Sequence, residues 1–222
     1  MLPRWVRDNS LSIVAVGLFL VVWMGGQAVT GWHVYNEDQQ AHAQPTIGFA
    51  PYLTSAHFGE ATFENWESEF LQMGAYVLLA VWLRQRGSAE SKSPDATDDV
   101  DADPEAHRDD ADAPWPVRRG GLALAVYRRS LSLAFFVLFG LAFLLHAITG
   151  AQAFSAEEAE HGGAAVSTWE YVHRAQFWFE SLQNWQSEFL AVAAIVVLTI
   201  FLRQQGSPES KPVHAPHHQT GS

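Results

Sequence analysis

Apolar residues along the chain gather into four blocks separated by polar stretches. Leu11–Val29 and Leu131–Ile148 are almost uncharged runs of about 18 or 19 residues, each enough to cross the roughly 30 Å hydrocarbon layer as a helix. Phe70–Leu83 and Phe189–Leu202 are shorter, about 14 residues each, and would be marginal alone. Their approaches, Phe58–Glu69 and Phe177–Glu188, are aromatic-rich and extend each helix into the headgroup zone that Trp and Tyr favour. The pattern predicts an all-α membrane protein with four transmembrane helices. Amphipathic helical segments on the outer side precede spans two and four.

Thr30–Lys92 and Thr149–Lys211 align without a gap at an offset of 119, and 23 of the 63 positions are identical. The chain therefore reads as a tandem duplication of a two-span hairpin, with a period too long for solenoid repeats. Four segments follow: a first repeat at 1–92, an acidic linker at 93–117, a second repeat at 118–211 and a polar tail at 212–222. The linker holds most of its carboxylates between Asp95 and Asp112 and shows no apolar periodicity, which is the composition of a disordered tether. The tail, with His214, His217 and His218 among Pro, Ala and Gly, reads as disordered too.

Charge sets the topology. Of the 13 Lys and Arg residues, Arg4 and Arg7 precede span one, Arg84 to Arg129 lie between spans two and three, and Arg203 and Lys211 follow span four. The loops at 32–62 and 150–181 hold only Arg174. Positively charged loops stay in the cytoplasm, so the expectation is a multi-pass protein of the cell inner (plasma) membrane with both termini cytoplasmic. The two hairpins then enter in the same direction as parallel repeats about a pseudo-two-fold axis. Small residues such as Gly74, Gly140 and Ala142 are the candidates for close helix packing. A cleaved leader is not expected, because the first apolar run is long and lacks a small-x-small site.

The densest repeat match is Asn65-Trp66-Glu67-Ser68-Glu69-Phe70-Leu71 against Asn184-Trp185-Gln186-Ser187-Glu188-Phe189-Leu190, followed by the Leu-Arg-Gln-x-Gly-Ser-x-Glu-Ser-Lys exits ending at Lys92 and Lys211. At these motifs the chain resembles an uncharacterised family of bacterial integral membrane proteins known as a domain of unknown function. The resemblance implies a bacterial, multi-pass membrane location and carries no activity, substrate or cofactor. The second half departs from the first at Gln183 and Gln186, which replace Glu64 and Glu67.

Glu69 and Glu188 are the leading candidate functional residues, with Asn65, Asn184, Ser68 and Ser187 beside them. A carboxylate next to hydrocarbon is costly and is by default a functional-site hypothesis. An acid one turn inside a helix N-terminus also complements the macrodipole, which is a purely structural role. Trp66, Trp185 and Trp178 read as interface anchors. Helical spacing gathers His57, Glu60, Glu64, Glu67 and Ser68 into one polar stripe, and His173, Gln176, Glu180, Gln183, Asn184 and Ser187 into its counterpart. Either the stripes face water, or they meet across the pseudo-axis.

Other chemistry is sparse. No metal is expected: although His42 and His161 match across the repeat, the histidines form neither His-Glu-x-x-His nor a helical di-iron pattern. No cofactor is expected, because a haem between helices needs two intramembrane histidines and only His146 qualifies. With no cysteine, thiolate chemistry is excluded, and no nucleophile elbow or phosphate loop appears. The net charge of −11 argues against nucleic acid. Ser167-Thr168-Trp169-Glu170 fits a capping box. The expected class is a non-catalytic envelope accessory or partner-binding module, with the lipid bilayer and a second copy or another membrane protein as partners. The alternative is a small proton- or cation-linked transporter or channel using paired Glu69 and Glu188. Neither reading makes it an enzyme.

Overall fold

A computed structural model of the chain describes residues 3–95 and 98–221. Positions 96–97 of the expected linker and 222 of the expected tail lie outside the described residues. Among the described residues the fold is all-helical, with no strand. Four long helices dominate: α1 (Ser10–Ala41), α2 (Ala56–Trp82), α3 (Ser130–Glu160) and α4 (Ala175–Phe201). Helices α1, α3 and α4 are long and apolar enough to cross a membrane. Helix α2 matches α4 in length, but Glu60, Glu64, Glu67 and Glu69 make its first half much more polar.

Each of the two shorter apolar blocks is continuous with its aromatic approach, so α2 and α4 are unbroken helices of 27 residues. Local geometry recurs at the offset of 119. Helix α1 ends with Gln44 N donating to Gln39 O at 2.7 Å and Ala43 at φ 56°; α3 ends with Gly163 N donating to Glu158 O at 2.7 Å and Gly162 at φ 77°. Both are left-handed terminations that satisfy free helix-end carbonyls. Beyond α2 and α4, Arg84 and Arg203 donate to three carbonyls of the preceding turn, while Ser91 and Ser210 accept from the backbone amides of Gln85 and Gln204. The repeated exit motif thus builds one helix-capping device twice.

One stretch breaks the correspondence. Val21–Gln27, within α1, is a π-helical segment containing the Gly25-Gly26 pair, whereas its counterpart in α3 is regular α-helix. Two adjacent glycines lower the resistance to such rewinding. The segment carries Trp23, whose indole stacks between Phe19 and Phe58 and donates to Thr62 Oγ1 at 3.2 Å.

The chain divides into two compact units, Met1–Phe63 with Leu144–Phe177, and Glu64–Phe143 with Trp178–Ser222. In the first, Ala28, Tyr52 and Phe58 form a buried cluster with Trp23, Trp32, Tyr35, Ile47, Phe49 and Leu53 around it. Asn36 exchanges two hydrogen bonds with the backbone of Ile47, and at the equivalent place Ser155 does the same with Val166, closing both loops alike. The expected capping box is present at Ser167 and Glu170, and the bonds from Ser167 hold the Glu170 carboxyl below its ordinary pKa. Tyr52 and Tyr171 are fully buried, and each lies over a glycine of the preceding long helix, Gly31 and Gly150 respectively.

In the second unit, Gly74 lets α2 approach α3: a Cβ there would lie 3.2 Å from Phe135 Cβ and 3.3 Å from the Phe136 ring. The acidic segment includes short turns at Asp99–Asp101 and Pro104–His107, with Lys92 paired to Asp101 and Arg86 to Asp95 at 2.7 Å. Arg86 holds the Asp95 carboxyl below its usual range. Ala113, Val117 and Leu124 form a small apolar cluster leading into the second half. Lys211 is buried, with its ammonium donating to the carbonyls of Gly87, Ile200, His217 and Gln219.

The glycine under Tyr171 generates a prediction. A Cβ at Gly150 would sit 2.6 Å from Tyr171 Cε1 and 2.9 Å from its hydroxyl, whereas at Gly140 of the same helix it would meet nothing within 4 Å. Gly150→Ala should cost about 1–3 kcal/mol of stability through overpacking. Gly140→Ala should be neutral or slightly stabilising, since alanine is the better helix former. Thermal unfolding in detergent checks both, and equal melting temperatures for the two variants would contradict the packing described.

Candidate functional site

The polar stripes of α2 and α4 meet in the second unit. Glu64 accepts from Asn184 Nδ2 and, at 3.3 Å, from Gln183 Nε2. One turn along, Glu67 is fully buried, and its Oε1 accepts from Trp185 Nε1 at 3.2 Å. Further along, Gln72 Nε2 donates to Glu188 O at 3.2 Å. This seam follows from helical periodicity: Glu60, Glu64 and Glu67 recur every three or four residues of α2, and Gln183, Asn184 and Ser187 do so on α4. Three of these donors, on Gln183, Asn184 and Trp185, meet a carboxylate, and Gln72 meets a backbone carbonyl.

Glu64 and Gln183 occupy equivalent repeat positions and touch each other. Had both been glutamates, two like charges would face each other at hydrogen-bonding distance. The amide at Gln183 supplies a donor where the first repeat supplies only acceptors. Trp185, the proposed anchor, is half-buried and makes edge-to-face contacts with Phe139 at 6.2 Å and Trp178 at 6.3 Å. Trp178 in turn packs on Phe143 at 6.2 Å.

The remaining expected site residues are placed differently. Ser68 Oγ donates to Asn65 O at 2.7 Å and Ser187 Oγ to Asn184 O at 2.8 Å, each back onto its own helix. Such back-bonding serves the local backbone. Asn65 is exposed, Trp66 is half-buried, and Asn184 also donates to Glu180 O at 3.2 Å. Glu69 is exposed and Glu188 half-exposed, and the two carboxylates interact electrostatically. Glu64 and Glu67, rather than Glu69 and Glu188, are thus the carboxylates bound most fully by side chains across the seam. The sequence signal for them was the Glu-to-Gln asymmetry between the repeats at 64/183 and 67/186.

In the first unit the polar groups are aromatic-centred. The Tyr52 hydroxyl contacts His57 Nδ1 at 3.0 Å, and burial raises the phenol above its usual pKa. The Tyr171 hydroxyl donates to Glu60 Oε1 at 3.4 Å. His146 is buried with its ring stacked on Phe177 at 4.8 Å. Asp38, His42 and Glu160, at the ends of α1 and α3, bring three metal-ligating atoms within 4.8 Å of one another.

One family's sequence model matches residues 2–222. The chain belongs to the family described as domain of unknown function DUF6766. No curated protein and no solved structure matches it. Membership covers the whole two-part chain, so the seam lies within the family's matched region.

Removing one donor tests the seam. Trp185→Phe keeps an aromatic ring, though a smaller one, and takes the indole N–H from buried Glu67, which should cost at least about 1–3 kcal/mol. A detergent melting temperature unchanged from wild type would show that this bond does not hold α2 to α4.

Proposed function

We propose that the protein is a four-span, non-catalytic module of the bacterial inner membrane, built from two parallel hairpin repeats, that acts as an envelope accessory by binding another membrane protein or a second copy. The observation that carries this reading is the engagement of the seam carboxylates: Glu64 and Glu67 accept from Asn184, Gln183 and Trp185 of the same chain. Groups bound this way hold helices together in lipid, where hydrophobic drive between helices is absent. Helix α2 is the fourth span in this reading because Glu64 and Glu67 turn to the seam and its second half, Phe70–Leu83, is apolar. The positive residues flanking the spans support cytoplasmic termini. The recurrence of both helix ends, both loop closures and both exit devices at the offset of 119 supports the duplication.

A second reading is favoured by one observation. Glu69 and Glu188 occupy equivalent repeat positions, interact electrostatically and are not fully buried. A small transporter or channel would use such a pair to bind a proton or cation.

Two measurements decide between these readings. Reporter fusions at residues 45, 100, 160 and 221 should report 45 and 160 outside and 100 and 221 in the cytoplasm; an outside signal at 100 or 221 refutes the topology. In liposomes, the purified protein should give no proton or cation flux above the background of empty vesicles. A flux that Glu69→Gln or Glu188→Gln removes, with the melting temperature unchanged, would establish the transport reading instead.

A further inference from the structure

We propose that Asp38, His42, Glu160 and His161 form a binding site for a divalent transition-metal ion of the zinc class, where the C-terminal ends of α1 and α3 come together. His42 Nδ1 lies 3.4 Å from Asp38 Oδ1 and 3.6 Å from Glu160 Oε2. Ligand atoms bound tetrahedrally at about 2.0–2.1 Å stand about 3.3–3.5 Å apart, so these separations already approach the edges of a zinc coordination shell. Imidazole with carboxylate is a donor set that suits zinc and its neighbours.

Three further observations point the same way. Gln39 Nε2 donates to Glu160 Oε1 at 3.0 Å, which fixes the carboxylate and leaves Oε2 turned to His42. Metal-binding carboxylates are characteristically oriented by such outer hydrogen bonds. The His161 ring lies 5.9 Å from that of His42, edge to face, and its Nδ1 contacts Glu157 O at 3.0 Å. With Nδ1–H donated to that carbonyl, Nε2 is the lone-pair nitrogen available to a metal. Finally, both helices end here, and the negative ends of two helix dipoles favour a cation. An exposed ion pair of His42 with Asp38 would account for one contact and contribute little, whereas it leaves the orientation of Glu160 by Gln39 without a purpose.

The site brings together equivalent positions, His42 and His161, with one acid from each repeat. Asp38 has Glu157 as its counterpart and Glu160 has Ala41, so the duplication supplies paired imidazoles while its divergence supplies the second carboxylate. Binding through His42 Nδ1 requires the tautomer that carries its proton on Nε2, so the contact of Nδ1 with Asp38 O at 3.0 Å gives way to the metal.

The test is calorimetric titration of zinc chloride into the full-length, tag-free protein in detergent, with helicity and melting temperature as folding controls. One saturable equivalent is expected. His42→Ala and Glu160→Gln should each weaken it roughly tenfold or more, His161→Ala should weaken it less, and replacing His214, His217 and His218 together by alanine should leave it in place. Glu160→Gln retains an oxygen for Gln39, so it separates lost ligation from lost packing. The proposal is overturned if no saturable binding occurs at micromolar zinc. It is equally overturned if the folded His42→Ala and Glu160→Gln proteins bind as wild type, or if the tail substitutions abolish binding.

Discussion

A buried carboxylate in a largely apolar helix bundle must find donors within the protein, and the organisation of the second unit follows from that requirement. An ionised group withdrawn from water without partners costs many kcal/mol, so its donors fix which helix faces which and in what register. Glu67 is fully buried on α2, and the indole N–H of Trp185 on α4 answers it. Glu64, one turn earlier, takes the amides of Asn184 and Gln183. Gly74 then lets α2 close on α3 on its way out of the seam. Slide α4 by one residue and all three donors rotate away from their acceptors.

The same requirement bears on where the two halves of the sequence differ at the offset of 119. Where positions 119 apart touch, each residue meets its own counterpart, and two like charges there would repel. At 64 and 183 the copies are glutamate and glutamine, a complementary acceptor and donor. Where both are histidine, at 42 and 161, the rings meet edge to face, and Asp38 and Glu160 beside them suit the contact to a cation.

Much of this was legible in the sequence, for reasons that differ by element. The long helices announce themselves through apolar runs, and the capping box at Ser167 through local side-chain chemistry. The exit motif was visible as a sequence match, and Arg84 and Arg203, Ser91 and Ser210 make the same bonds. What the sequence withheld depends on which residues meet across the fold. Glu67 and Glu64 were visible as an asymmetry but not as the engaged acids, because periodicity gives a face and not its partner. The spacing rules for metals passed over Asp38, His42 and Glu160, whose ligands come from two distant helix ends. Ala43 gave no warning of its left-handed conformation, since only its glycine counterpart at 162 is the usual residue there.

The account rests on Glu64 and Gln183 being a complementary pair in contact, and a charge swap tests that directly. Gln183→Glu should lower the melting temperature in detergent at neutral pH, through a repulsion of about 1 kcal/mol or more. The double variant Glu64→Gln with Gln183→Glu, which restores one acceptor and one donor, should recover most of the loss. A single variant as stable as wild type, or a double variant no better than the single one, would contradict the pairing.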